Sequence, residues 1–120
     1  MKHFTCATMG FVLALAASQV ALAHAKLVSA DPPVNGVAKT PPKNLDLLFS
    51  EEISGKLSGA ILKGIDGKTI PVTTMTEKNG KGLMIMMKSP LKPGNYTVEW
   101  HVVASDDGHK TTGTYKFMVD

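Results

Sequence analysis

The sequence predicts an all-β fold: a Greek-key β-sandwich of about seven strands. Three observations point there. Apolar residues alternate with period two in several short runs, turn residues recur every 8 to 12 positions or so, and long helical periodicity is absent.

The first element is not part of that fold. Lys2, the apolar run from Met9 to Ala17 and the small residues Ala21 and Ala23 have the layout of a secretory signal peptide, with cleavage expected before His24. The apolar run is shorter than the roughly 20 residues of a membrane span. Two segments are therefore expected: residues 1–23 as signal peptide, and 24–120 as one small domain. His3 and Cys6 leave with the leader, so the exported chain has no cysteine and no disulfide framework.

In the mature chain, a first strand follows His24. The stretch Asp31 to Lys43 holds Pro32, Pro33, Asn35, Gly36, Pro41 and Pro42 and reads as an irregular connection. Leu45, Leu47 and Phe49 then alternate onto one face, as do Tyr96, Val98, Trp100 and Val102, and Tyr115, Phe117 and Val119; these stripes form the expected core. Ala60–Lys63 and Thr69–Val72 flank the hairpin turn Asp66-Gly67, with Pro71 marking an edge strand or its end. Leu83–Met87 is a further strand, closed by the turn Pro90-Leu91-Lys92-Pro93-Gly94.

Charge excludes one function class. The formal net charge of +3 becomes +2 once Lys2 is lost, and the basic residues are scattered lysines with no arginine. Nucleic-acid binding calls for a dense basic face and often for arginine forks. A hydrolase is equally ill-served, since no nucleophile, base and oxyanion donors can be read together. No enzymatic activity is expected.

Metal chemistry is what the polar residues do suggest. Cleavage before His24 would give one residue two nitrogen donors, the free α-amine and the imidazole Nδ1. Asp107-Gly108-His109 places a carboxylate and an imidazole two residues apart, and loops at one end of a sandwich can bring distant residues together. Asp107 and His109 share a side if the turn stays extended. Such a nitrogen and oxygen set suits Cu(II). Asp107-Gly108 is also an ordinary turn dipeptide, and Glu51 and Glu52 could equally be solvent-facing charges. His101 reads as a rim histidine, Asp106 as a solvent-facing neighbour and Trp100 as a core aromatic.

These residues carry a resemblance. His24-Ala25-Lys26-Leu27, Phe49-Ser50-Glu51, the run Leu91-Lys92-Pro93-Gly94-Asn95-Tyr96-Thr97-Val98-Glu99-Trp100, and Ser105-Asp106-Asp107-Gly108-His109 followed by Gly113 and Phe117, occur in the order seen in the CopC family of periplasmic copper-binding proteins. The chain resembles that family over essentially its whole mature length. The resemblance implies a cupredoxin-like or immunoglobulin-like β-barrel sandwich with a Cu(II) site built from His24, Asp107 and His109, with Glu51 added in some members, a periplasmic location, and a role in copper sequestration, tolerance or delivery. It also implies a CopD-type inner-membrane protein as partner; a monomer is expected.

One departure weighs against a dedicated Cu(I) site. Some family members bind Cu(I) through a methionine-rich loop after the Phe-Ser-Glu strand, and Ile61 to Thr74 here has neither methionine nor histidine. Met84, Met86 and Met87 offer thioethers, which select Cu(I), yet methionine on a strand also fills packing gaps. Two other classes compete with a copper carrier. A copper-dependent oxidative enzyme would also use an N-terminal histidine centre, but it needs an open copper face and a broad substrate surface. A metal-free immunoglobulin-like interaction module would explain the strands and leave His24 and the Asp-Gly-His turn unexplained.

Overall fold

A computed structural model describes residues 24–120; the expected signal peptide, with His3 and Cys6, lies outside the described residues. Strands follow in the order β1 (Leu27–Asp31), β2 (Val37–Ala38), β3 (Asn44–Phe49), β4 (Gly59–Lys63), β5 (Thr69–Ile70), β6 (Val72–Glu77), β7 (Gly82–Met87), β8 (Gly94–Val103) and β9 (Lys110–Val119). They form a four-stranded sheet, β1-β3-β7-β6, and a five-stranded sheet, β2-β9-β8-β4-β5. The chain passes back and forth between the sheets, and its neighbours in each are antiparallel apart from the parallel β2–β9 pair.

The alternating stripes are the core. Leu45, Leu47 and Phe49 of β3 and Leu83 and Ile85 of β7 meet Leu62 of β4, Val98, Trp100 and Val102 of β8, and Tyr115, Phe117 and Val119 of β9. Phe49 and Trp100 join the sheets edge to face, with ring centroids 5.0 Å apart. Burying each such ring removes enough apolar surface from water to contribute about 2–3 kcal/mol. Opposite Trp100 in register is Gly113, and the indole ring lies where a side chain on Gly113 would be, with Cε2 2.6 Å from the position of a Cβ. A larger residue there would push the ring out of its place.

Three features differ from the sequence expectation. The proline-rich stretch after Asp31 contains β2, because the Asn35 and Met118 amides bond to Lys116 and Gly36 carbonyls and lay Val37–Ala38 alongside β9. Thr69–Val72 is not one strand: the chain leaves the five-stranded sheet at Pro71, which has no amide hydrogen to continue a ladder, and enters the other sheet as β6. Strand β6 itself is an exposed, threonine-rich edge beside β7.

Candidate metal centre

The two ends of the expected site meet at one end of the sandwich. The His24 and His109 rings have centroids 4.8 Å apart and are tilted by 48°. His24 precedes β1, and His109 closes the turn between β8 and β9.

That turn is held by its own side chain rather than by an extended backbone. Asp107 Oδ1 accepts the His109 amide at 3.0 Å, and Oδ2 lies 3.2 Å from His109 Nδ1. The Gly108 amide donates to Ala104 O and the Ala104 amide to His109 O, closing the loop at 3.0 and 2.9 Å. Gly108 takes φ +72, a conformation that costs glycine little. Asp107 and His109 thus share a side, as expected, though through this side-chain cap. The His109 amide, then its ring, holds the Asp107 carboxyl below the usual carboxylate range.

The segment after β3 fastens both halves. Ser50 Oγ accepts the Lys26 amide at 2.9 Å and donates to His24 O at 3.5 Å, while the Ser50 amide bonds to Lys26 O at 2.9 Å. Two residues on, Glu52 O accepts the Ser105 amide, and Ile53 bridges Ala104. A single short segment therefore sets the position of His24 relative to the Asp-Gly-His turn. Ser50 was not among the residues singled out for the site; its sequence signals are a hydroxyl at the end of an alternating stripe and its place between Phe49 and Glu51 in the motif quoted for the family resemblance.

Glu51 lies in that segment and is half-buried. No polar contact between Glu51 and either imidazole is found among the described residues, and no three His, Cys, Asp or Glu side chains already converge there. The donor set that fits a metal is two adjacent imidazoles with one carboxylate bound to the second. His24 Nε2 is buried without a hydrogen-bond partner, so its ring is held inside the protein rather than waving in solvent. His101 sits half-buried on the outer face of the five-stranded sheet against Gly59, and Asp106 is exposed. Met84 and Met86 share the half-buried outer face of β7, whereas Met87 points into the core.

Comparison with known proteins supplies the family. The CopC domain matches residues 27–120. Protein YobA of Escherichia coli K12 is 42% identical over 100 residues, spanning 81% of this chain and 79% of that protein. Copper resistance protein C of Escherichia coli is 36% identical, over 93% of this chain and 92% of the relative. Among solved structures, PcoC, described as a methionine-rich copper resistance protein from Escherichia coli, superposes with a TM-score of 0.73 at 32% identity, over 82% of this chain and all of that one. CopC from Methylosinus trichosporium OB3b gives 0.75 at 28% identity, over 81% and 94%. With a matching domain that spans the whole sandwich and relatives above 30% identity over nearly their full length, the chain belongs to the CopC family.

Proposed function

We propose that this protein is exported, is cleaved before His24, and binds Cu(II) in the periplasm through the new α-amine and imidazole of His24, one His109 nitrogen and the Asp107 carboxylate. The observation that supports this most is the pairing of the His24 and His109 rings at 4.8 Å from opposite ends of the chain. Copper is the cargo, and the donors fit it: neutral nitrogen with one carboxylate is the field Cu(II) prefers, and no thiolate is required. The relatives named copper resistance protein C support copper as the metal.

Each donor has a distinct role. His24 chelates, so its affinity depends on the chain starting there. Asp107 Oδ1 is tied to the His109 amide, which leaves Oδ2 as the oxygen that exchanges its contact with His109 Nδ1 for the ion. Glu51, carried on the fastening segment, lends negative charge near the His24 end. The carrier sequesters copper and hands it to an inner-membrane acceptor of the CopD type.

The test is a Cu(II) titration read by electron paramagnetic resonance on protein beginning at His24 and on protein with one extra residue ahead of it. Tight, nitrogen-rich binding that weakens greatly in the extended form is expected. Equal weak binding by both forms would remove the amine, and with it the proposed centre.

A further inference from the structure

At the metal end of the sandwich, His24 Nε2, Trp100 Nε1 and Thr111 Oγ1 are each buried without a hydrogen-bond partner. Register places the last two side by side. Gly113 is opposite Trp100 and Thr111 opposite Val102, so Thr111 stands on the core face of β9, roughly 7 Å along the strand from Gly113. The indole edge that lies over Gly113 is the one carrying Cζ2 and Cε2, the latter 2.6 Å from where a Cβ would be. Nε1 is bonded to Cε2, so the N–H group is on the side of the ring turned to β9. His24 reaches the same end from the other sheet. Its ring meets that of His109, two residues before Thr111, and its carbonyl is held by Ser50, whose neighbour Phe49 packs on Trp100.

The three atoms are complementary in chemistry. An indole N–H only donates, a hydroxyl both donates and accepts, and an imidazole Nε2 does one or the other according to its tautomer. A chelate through the α-amine and Nδ1 needs the lone pair on Nδ1, so the neutral ring carries its proton on Nε2, which becomes a donor. Two N–H groups at this end therefore need an acceptor. The neighbouring core side chains Phe49, Ile53, Val102 and Ala104 are apolar and buried. Ser50 Oγ is taken by the Lys26 amide and Ser58 Oγ by the Val103 amide. The Thr111 hydroxyl is what remains. Its neighbours Lys110 and Thr112 are exposed, so the alternation of β9 turns this hydroxyl inward.

We propose that Thr111 is a positioning residue for the His24 chelate: through one buried water, its Oγ1 receives the hydrogen bond of His24 Nε2–H and holds the imidazole in the tautomer that leaves Nδ1 for the ion. The inference rests on the Cu(II) reading of His24 above. The water accepts from His24 Nε2–H and Trp100 Nε1–H and donates to Thr111 Oγ1, which gives it the roughly three hydrogen bonds a buried water makes to groups of this kind. An imidazole with no acceptor at Nε2 is free to carry its proton on Nδ1, and the ion must then displace that proton before it binds. Thr111 touches neither the ion nor its ligand atoms; it acts through the ring of His24.

The test compares protein beginning at His24 with its T111V, T111S and T112V variants. Valine keeps the shape and removes the hydroxyl, serine keeps the hydroxyl, and Thr112 is the control on the exposed face of the same strand. Long-range 1H–15N spectra of the metal-free proteins at pH 8 read the His24 tautomer directly. The parent, T111S and T112V are expected to hold the proton on Nε2, and T111V to shift toward the Nδ1–H form, with a displaced Trp100 indole N–H signal. Competition titration should then show Cu(II) affinity lower by about 10-fold or more in T111V, the scale of such supporting contacts, and parental in T111S and T112V. An unchanged tautomer or an unchanged affinity in T111V, or an equal loss in T111S, would overturn the proposal. Because the tautomer is read without metal, failure of the copper reading shows separately, as a parent protein that binds no Cu(II).

Discussion

Replacing Gly113 by alanine should destabilise the sandwich through a single contact. The added Cβ would sit 2.6 Å from Trp100 Cε2 and 3.0 Å from Cη2, so the indole must move by about 1 Å to restore ordinary van der Waals separation. It has little room, being 8% exposed and backed by Phe49 at 5.0 Å. Overpacking of this kind costs about 1–3 kcal/mol. Alanine recovers up to about 1 kcal/mol, because it loses less backbone freedom than glycine on entering a strand. The net loss is about 1–2 kcal/mol, which for a domain of this size lowers Tm by roughly 4–16 °C. Urea denaturation and thermal melts measure it, and the fluorescence of the single tryptophan reports whether the ring has moved. In a Trp100→Phe background the smaller ring leaves space, and the same alanine should then cost almost nothing. A G113A variant as stable as its parent, or a penalty of equal size in both backgrounds, would refute the packing account.

Ser50→Ala removes the acceptor for the Lys26 amide and the hydroxyl near His24 O. It should weaken Cu(II) binding about fivefold, the equivalent of one hydrogen bond, with a small change in Tm; an unchanged affinity by competition titration would free His24 from this tether. Asp107→Asn leaves the amide contact possible but removes the charge beside His109, and a 10- to 100-fold loss of Cu(II) affinity is expected on the scale typical of such partners. Acidification from pH 7 to 5 should weaken Cu(II) binding by about 100-fold through the terminal amine alone, since the bound form needs it unprotonated; a pH-independent affinity would contradict the chelate. Asp46→Asn tests the half-buried carboxyl of β3 that lies opposite Met84 and near Glu77. A carboxyl raised from 3.8 to about 6 favours the folded state while protonated and opposes it as pH rises through that window. The variant should therefore be stabilised at pH 7.5, by about 1 kcal/mol after solvent screening of a ceiling near 3, and much less at pH 4. Equal melting shifts at both pH values would argue against the raised carboxyl.

The parts of the fold legible in the sequence are those where one residue type reports one physical constraint. Leu45, Leu47 and Phe49 alternate because one side of β3 faces the core, and their exposures of 0 to 1% follow from the pattern itself. Val37–Ala38 offers no such signal: it is a strand only because β9 lies beside it, and the surrounding prolines argue the other way. Strand β6 has threonine at both parities, Thr73 and Thr74 for instance, and its two apolar residues, Val72 and Met75, fall on opposite faces, so period two leaves no hydrophobic stripe.

The site divides along the same line. His24 and the Asp-Gly-His turn are legible because few residue types chelate, whereas what brings them together is mostly main chain. Glu52 holds Ser105 through its carbonyl, and Ile53 pairs with Ala104 through the backbone, contacts that most side chains at those positions would leave intact. Ser50 contributes a side-chain atom to the fastening on the His24 side. A backbone frame with a side-chain tether places the His24 ring while its Nε2 stays without a direct partner, and at His109 the Nδ1 contact with Asp107 is the one an ion would replace. The same logic makes Ser50 the informative substitution, because altering it perturbs the distance between the donors while every donor remains present.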